Sequence, residues 1–195
     1  MASTNHIPTR EKVKLTAQKL FREKGYAAVG MRELAAAAGM RAPSVYNHYR
    51  SKDHILQEIC FDIAGQFFKA LDEALAKEQK SSRQLRAAIR AHIDVIAANL
   101  DSAEVFFHEW IFLEQPALGK FKKMRQEYAR RFREILERGI RKKEIRKVNT
   151  RLATFAIFSA LNATYEFMRS DEKFSREQMA DELADMLIKG LKNKD

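Results

Sequence analysis

Between Gly39 and Lys52 the chain reads GMRAPSVYNHYRSK, which sets Tyr46, His48 and Tyr49 close together and flanks them with Arg41, Arg50 and Lys52. A hydrophobic core would reject those charges, and a plain solvated loop has no use for the tyrosines. Polar tips that can reach base edges, beside cationic and hydroxyl tips that suit phosphates, would give the mixture a purpose. A second cluster, His108-Glu109-Trp110, begins like the zinc signature HExxH. That motif needs another histidine at 112, where Phe112 stands, and His54 and His92 lie far away in sequence. No metal and no cofactor is expected. The chain also shows no paired nucleophile and base and no phosphate-binding loop, which argues against an all-α enzyme.

The totals narrow the choice. The formal charge is +10, and residues 1–52 carry ten Lys and Arg against three Asp and Glu. Residues 117–151 carry fourteen against four. Basic patches of this kind point first to nucleic acid, then to an anionic ligand or a membrane surface. No segment approaches 18 uninterrupted apolar residues, so no membrane span is expected. The N-terminus lacks the apolar stretch of a secretory signal, and the single Cys60 suits a reducing cytoplasm.

Three prolines and seven glycines in 195 residues, with abundant Ala, Leu, Lys, Glu and Arg, predict an all-α fold. Val13, Ala17, Leu20 and Phe21 recur at helical spacing in a first helix that opens with Thr9 as N-cap and stops at Gly25. A short helix over 31–38 follows, then Gly39, then Pro43 at the start of a third helix. Helix, glycine turn, short helix is the pattern of a helix-turn-helix. Val45 and one face of Tyr49 should point to the core, while Arg41, Ala42, Ser44, Tyr46, Asn47 and His48 spread over exposed faces. Ser51 caps a long fourth helix. Ser81 with Gln84 and Asp101 with Glu104 read as capping boxes for the fifth and sixth. A basic seventh helix spans about 117–143. Asn149 or Thr150 caps one to Met168, and Ser175 with Gln178 caps the last.

The stretch GYAAVGMRELAAAAGMRAPSVYNHYRSKDHIL, residues 25–56, resembles the DNA-binding segment of TetR-type transcriptional regulators. Gly25-Tyr26, the Arg-Glu-Leu-Ala start of the second helix, Ala38-Gly39 and the run from Tyr46 to Lys52 carry the likeness. Val29-Gly30 stands where the family usually has hydroxyl residues, Arg41 replaces a common serine, and Lys143 replaces a frequent glycine. The resemblance implies a helix-turn-helix domain over 1–52 and a helical bundle over 53–195, about nine helices in all. It implies DNA contacts from Thr9, Arg10, Arg32, Arg41, Ala42, Pro43, Ser44, Tyr46, Asn47, His48 and Lys52.

Beyond that segment the bulky rings fall in the fourth, sixth and eighth helices. An apolar pocket with a few polar groups would suit them. Phe61, Phe68, His92, Phe107, His108, Trp110, Phe158, Asn162 and Tyr165 are its candidate lining, and the resemblance implies a small-molecule effector there, of the acyl-CoA or fatty-acid kind. Leu152, Ala156, Ala160, Ala163 and Phe167, then Met179, Leu183, Met186, Leu187 and Leu191, alternate small and large residues, which favours close helix approach. The resemblance makes these a homodimer interface. Two reading helices would then face a palindromic operator in double-stranded DNA, one or more turns of ~34–36 Å apart. The expected function is a cytoplasmic transcriptional repressor released by its effector. The rival readings are a ligand-independent DNA-binding protein governed by a protein partner, and, behind it, the all-α enzyme.

Overall fold

The computed structural model describes residues 8–170 and 175–191. Helix α1 (Thr9–Lys24) buries Val13, Ala17, Leu20 and Phe21 along one stripe. It ends at Gly25, whose φ of 79° disfavours any side chain. After α2 (Met31–Ala37) the chain turns sharply into α3 (Ala42–Tyr46). Gly39 takes φ 66°, its N–H donates to the Ala36 carbonyl at 3.0 Å, and the Met40 N–H donates to that of Ala35 at 2.9 Å. This is a Schellman closure, which supplies partners to the last carbonyls of α2 and frees the chain to change direction. Pro43 lies in the first turn of α3, where its missing N–H is harmless.

Seven further helices follow: α4 (Lys52–Ala76), α5 (Ser81–Ala98), α6 (Leu100–His108), α7 (Ala117–Arg141), α8 (Thr150–Asn162), α9 (Thr164–Ser170) and α10 (Arg176–Lys189). A single 3₁₀ turn, Glu109–Phe112, follows α6. The one helix expected up to Met168 is broken at Ala163, where the Thr164 hydroxyl donates to the Leu161 carbonyl at 2.7 Å and competes with the helical bond. Taking α8 and α9 as one interrupted rod, the described residues hold nine helical rods and no strand.

The caps are partly as expected. Ser51 accepts from the His54 N–H at 3.1 Å, Asn149 accepts from that of Leu152 at 3.0 Å, and the Ser175–Gln178 box is closed from both sides. Three others are corrected. Pro8, not Thr9, flanks α1, so Thr9 is its first helical residue. Ser81 lies inside α5, the Ser82 N–H is taken by the Glu144 carboxylate at 3.2 Å, and Gln84 donates to the Glu78 carbonyl. α6 follows α5 with only Asn99 between them, which leaves no room for a box; Asp101 instead accepts from Arg22 at 2.6 Å.

Contacts divide the chain into two compact units. One joins the described residues up to Asp62 with Asp101–Phe121. Its core includes Phe21, Leu34, Val45, Tyr49, Ile55 and Ile59. The other joins Ile63–Leu100 with the described residues from Lys122 onward, around Leu71, Ile89, Ile93, Phe132, Ile135 and Leu136. In this second unit α10 runs antiparallel to α5, in a register marked by ion pairs Arg86–Asp185, Arg90–Asp181 and Asp94–Arg176. The charge order reverses at the third pair, so a slip along the helices would set like charges opposite one another.

Candidate nucleic-acid interface

The turn at Gly39 presents α3 with Val45 and Tyr49 fully buried beneath it. The opposite side is open. Arg41, Pro43, Tyr46 and Asn47 are exposed, Tyr46 by 51%, while Ala42, Ser44 and His48 are half-buried. Arg32 is exposed on the first turn of α2. Thr9 is half-buried at the start of α1. All of these residues lie in the first unit, and Arg32, Arg41, Tyr46 and Asn47 carry exposed polar groups.

Two of the expected cations are already engaged. Arg10 Nη1 donates to the His48 carbonyl at 2.9 Å, its guanidinium lies 4.5 Å from the centre of the Tyr49 ring, and it pairs with Glu58. The Tyr49 hydroxyl donates to the same Glu58 carboxylate at 2.9 Å. Burial pushes the Glu58 carboxyl up, but the hydrogen bonds from Arg10 and Tyr49 outweigh it and hold its pKa below the usual value. Burial, followed by the bond to Glu58, pushes the Tyr49 phenol up. Lys52 Nζ donates to the carbonyls of Tyr26 at 2.8 Å and Ala27 at 3.4 Å, and sits 4.2 Å from the centre of the Tyr26 ring. Burial raises the Tyr26 phenol to about 12, with Asp53 and Glu114 adding to the effect. The sequence reading assigned no role to Tyr26 or Glu58. Gly25-Tyr26 was legible as part of the family pattern; Glu58 has no local signal, since its partner Arg10 is 48 residues away.

The residues expected to line a pocket fall in both units. In the first, Phe61 and Trp110 meet Phe121 with ring centres 5.8 and 5.9 Å apart, and Phe107 meets Phe106 at 5.1 Å. His108 is exposed there, and with Glu109, Glu104, Arg22, Phe21 and Val105 it borders a concavity of about 340 Å³. In the second, His92 is 2% exposed and stacks on Phe67 at 4.5 Å. Its Nδ1 lies 3.3 Å from the Tyr128 hydroxyl, and Phe158 stands 5.8 Å away. Burial lowers the His92 pKa to about 3 against an opposing hydrogen bond with Asn162, so the ring is a neutral donor and acceptor at ordinary pH. Phe68 packs on Tyr128 at 5.4 Å beneath the Arg131 guanidinium. Asn162 is half-buried; Tyr165 is buried, and its hydroxyl donates to Glu166 at 2.8 Å. Tyr128, absent from the expected lining, is the ring on which this cluster converges.

The last helices expose an apolar face. Leu152, Ala156, Ala163, Phe167 and Met186 are exposed, and Ala160, Leu183, Leu187 and Leu191 are half-buried. Met179 departs from the expected interface: with Ala180 and Ala184 it forms the buried side of α10 and belongs to the protomer's own core. Phe155, one of the bulky rings of the eighth helix, is 69% exposed. It stands one turn beyond Leu152 and extends the apolar face.

Among the described residues no helix is long and apolar enough to cross a membrane, and no group of three His, Cys, Asp or Glu could hold a metal ion. Residues 15–59 match the bacterial regulatory proteins of the tetR family, and residues 78–191 match the tetracyclin repressor-like C-terminal domain. The chain is 23% identical over 180 residues to the fatty acid metabolism regulator protein of Bacillus subtilis (strain 168), which covers 91% of this chain and 93% of that one. The structure of the ketosteroid transcriptional regulator KstR2 of Mycobacterium tuberculosis aligns with a TM-score of 0.91 at 17% identity, over 99% of this chain and 100% of the other. AibR, solved in complex with isovaleryl coenzyme A and operator DNA, aligns with a TM-score of 0.82 at 22% identity, over 92% and 98%. At these identities the two structures speak for the fold.

Proposed function

The chain belongs to the tetR family of bacterial regulatory proteins, and from that premise we propose that it is a homodimeric, cytoplasmic repressor that leaves a palindromic operator when an acyl-type effector binds. It is a DNA-binding transcriptional regulator and not an enzyme. Residues 1–52 form the reading domain and 53–195 the effector and dimerisation domain. Arg32, Arg41, Ala42, Pro43, Ser44, Tyr46, Asn47 and His48 meet the duplex, while Thr9, Arg10 and Lys52 stand at its edge and brace the reading helix. The carrying observation is α3 itself: Val45 and Tyr49 are sealed below it, and its polar tips are left open above.

Two of the named proteins support the effector class, one a fatty acid metabolism regulator and one solved with isovaleryl coenzyme A. The packed rings around His92 and Tyr128 form an apolar cluster with a few polar atoms, the chemistry an acyl chain carrying a carbonyl would need if the cluster opened to admit it. The effector acts only through unequal affinity for two shapes, and a tenfold release needs ~1.4 kcal/mol of difference. Selection of bound duplexes from a random pool tests the reading. A palindrome is the expected product, and Tyr46→Ala weakens its binding with no change in Tm. Fatty acids and isovaleryl-CoA are then added to the complex. Asymmetric products, or a complex that ignores every acyl compound, would overturn the corresponding half of the proposal.

A further inference from the structure

Lys52 is the first residue of α4, and Tyr26 lies in the turn between α1 and α2. The ammonium of Lys52 is held there by two carbonyls and one aromatic ring. That ring has other neighbours. Phe21 meets it edge-on with centres 5.2 Å apart, and Phe112 stacks on it at 5.3 Å with planes 27° apart. Phe112 is the last residue of the 3₁₀ turn that ends α6. Two residues further on, the Glu114 N–H donates to Asp53 Oδ1 at 3.2 Å. The first two residues of α4 are thus engaged at both ends of one short span: Asp53 directly, by Glu114, and Lys52 indirectly, by Phe112 through Tyr26.

Phe112 is 43% exposed, so its ring is poorly explained as core filling. Stacked on Tyr26 it keeps water from one side of the platform, which strengthens both the cation–π contact and the ammonium–carbonyl bonds. We infer that Phe112 is a positioning residue for DNA binding, acting through Tyr26 on Lys52 to clamp the start of α4 against the α1–α2 turn. The inference rests on the regulator reading above. α3 lies between those two anchored points in the chain, so the clamp limits how far its exposed tips can swing.

The test uses the full chain with Phe112→Ala, Phe112→Tyr, Lys52→Met and the double variant Lys52→Met with Phe112→Ala. Amide hydrogen exchange over residues 54–58 reads the clamp, and affinity for the selected duplex reads its consequence. Phe112→Ala is expected to speed that exchange and to weaken duplex binding by about fivefold to tenfold, with Tm nearly unchanged. Phe112→Tyr restores both. In Lys52→Met, adding Phe112→Ala changes neither further. Unchanged exchange, or losses that simply add in the double variant, overturns the inference. If no duplex is ever selected, the regulator reading fails, while exchange still decides the clamp. Should Phe112→Ala unfold the chain, Phe112→Leu keeps the bulk without the ring and takes its place.

Discussion

The guanidinium of Arg10 lies 4.5 Å from the centre of the Tyr49 ring while its Nη1 donates to the carbonyl of His48. A five-residue helix makes few bonds of its own, and a cation from α1 ties down the segment just beyond the end of α3. A helix that short is held by its neighbours and hardly at all by its own propensity. Its attitude toward a duplex therefore depends on residues that need not touch the duplex.

Replacing Arg10 by methionine keeps most of the stem and removes the brace. The Arg10–Glu58 pair is partly exposed, so the stability loss is small, about 0.5–1 kcal/mol. Operator affinity is expected to fall further than that, because α3 loses its fixed end. Thermal melts and duplex titrations of Arg10→Met, side by side, check the difference. Equal losses in both would reduce Arg10 to an ordinary surface ion pair.

Acid should weaken the fold through His92. Its folded pKa is about 3 against an ordinary 6.5. Between those values the unfolded chain binds a proton that the folded chain refuses, so stability is complete above about pH 6.5 and declines as pH falls below it. The loss from this residue is about 2 kcal/mol at pH 5. His92→Gln leaves the Tyr128 hydroxyl a partner and removes the titration. Its Tm should fall less steeply than that of the parent between pH 7 and 5, and parallel curves would show that His92 is not the source.

The exposed side of α8 carries Leu152 and Phe155, and Met186 on α10 is 71% exposed. A charge on that face should break the proposed seam without harming the protomer. Phe155→Glu is expected to sediment as a folded monomer and to lose operator affinity by at least tenfold, since one reading head binds where two did. A stable dimer with an intact Phe155→Glu face would move the interface elsewhere.

Lys143 adopts φ 58° at the end of α7, with the Glu144 N–H donating to the Gly139 carbonyl at 2.9 Å and the Lys143 N–H to that of Ile140 at 3.1 Å. This closure favours glycine, and a lysine there is strained by its own Cβ. Lys143→Gly should raise stability by about 1 kcal/mol, read as a higher urea midpoint with an unchanged m-value. A lower midpoint would mean that the lysine side chain stabilises the turn more than its backbone strains it.

The places where the sequence read well share a feature. Gly25, Gly39 and Pro43 act through their own backbones, and the Ser175–Gln178 box closes within four residues, so no distant neighbour enters. The Thr9 cap and the break at Ala163 failed within their own segments; the other failures involve distant neighbours. Ser81 and Gln84 had box spacing, but Glu144 arrived from the far end of α7 and took the Ser82 N–H. Asp101 had a capping role by type and was claimed by Arg22. Met179 and Phe155 are both apolar residues on apolar stripes, and nothing local distinguishes the one that α5 covers from the one left in the open.

By itself, then, the chain's order of residues determined that it is helical, where α1 and α2 end, and which short helix shows polar tips above a buried Val45 and Tyr49. Each of these follows from backbone conformation or from periodicity along one helix. Only the folded arrangement decided that Arg10 and Lys52 turn inward to brace α3 and α4, that His92 sits neutral among rings, and which stripe on the last helices stays uncovered. These depend on what lies across the gap from a side chain, and the spacing of residues along a single helix carries no record of that.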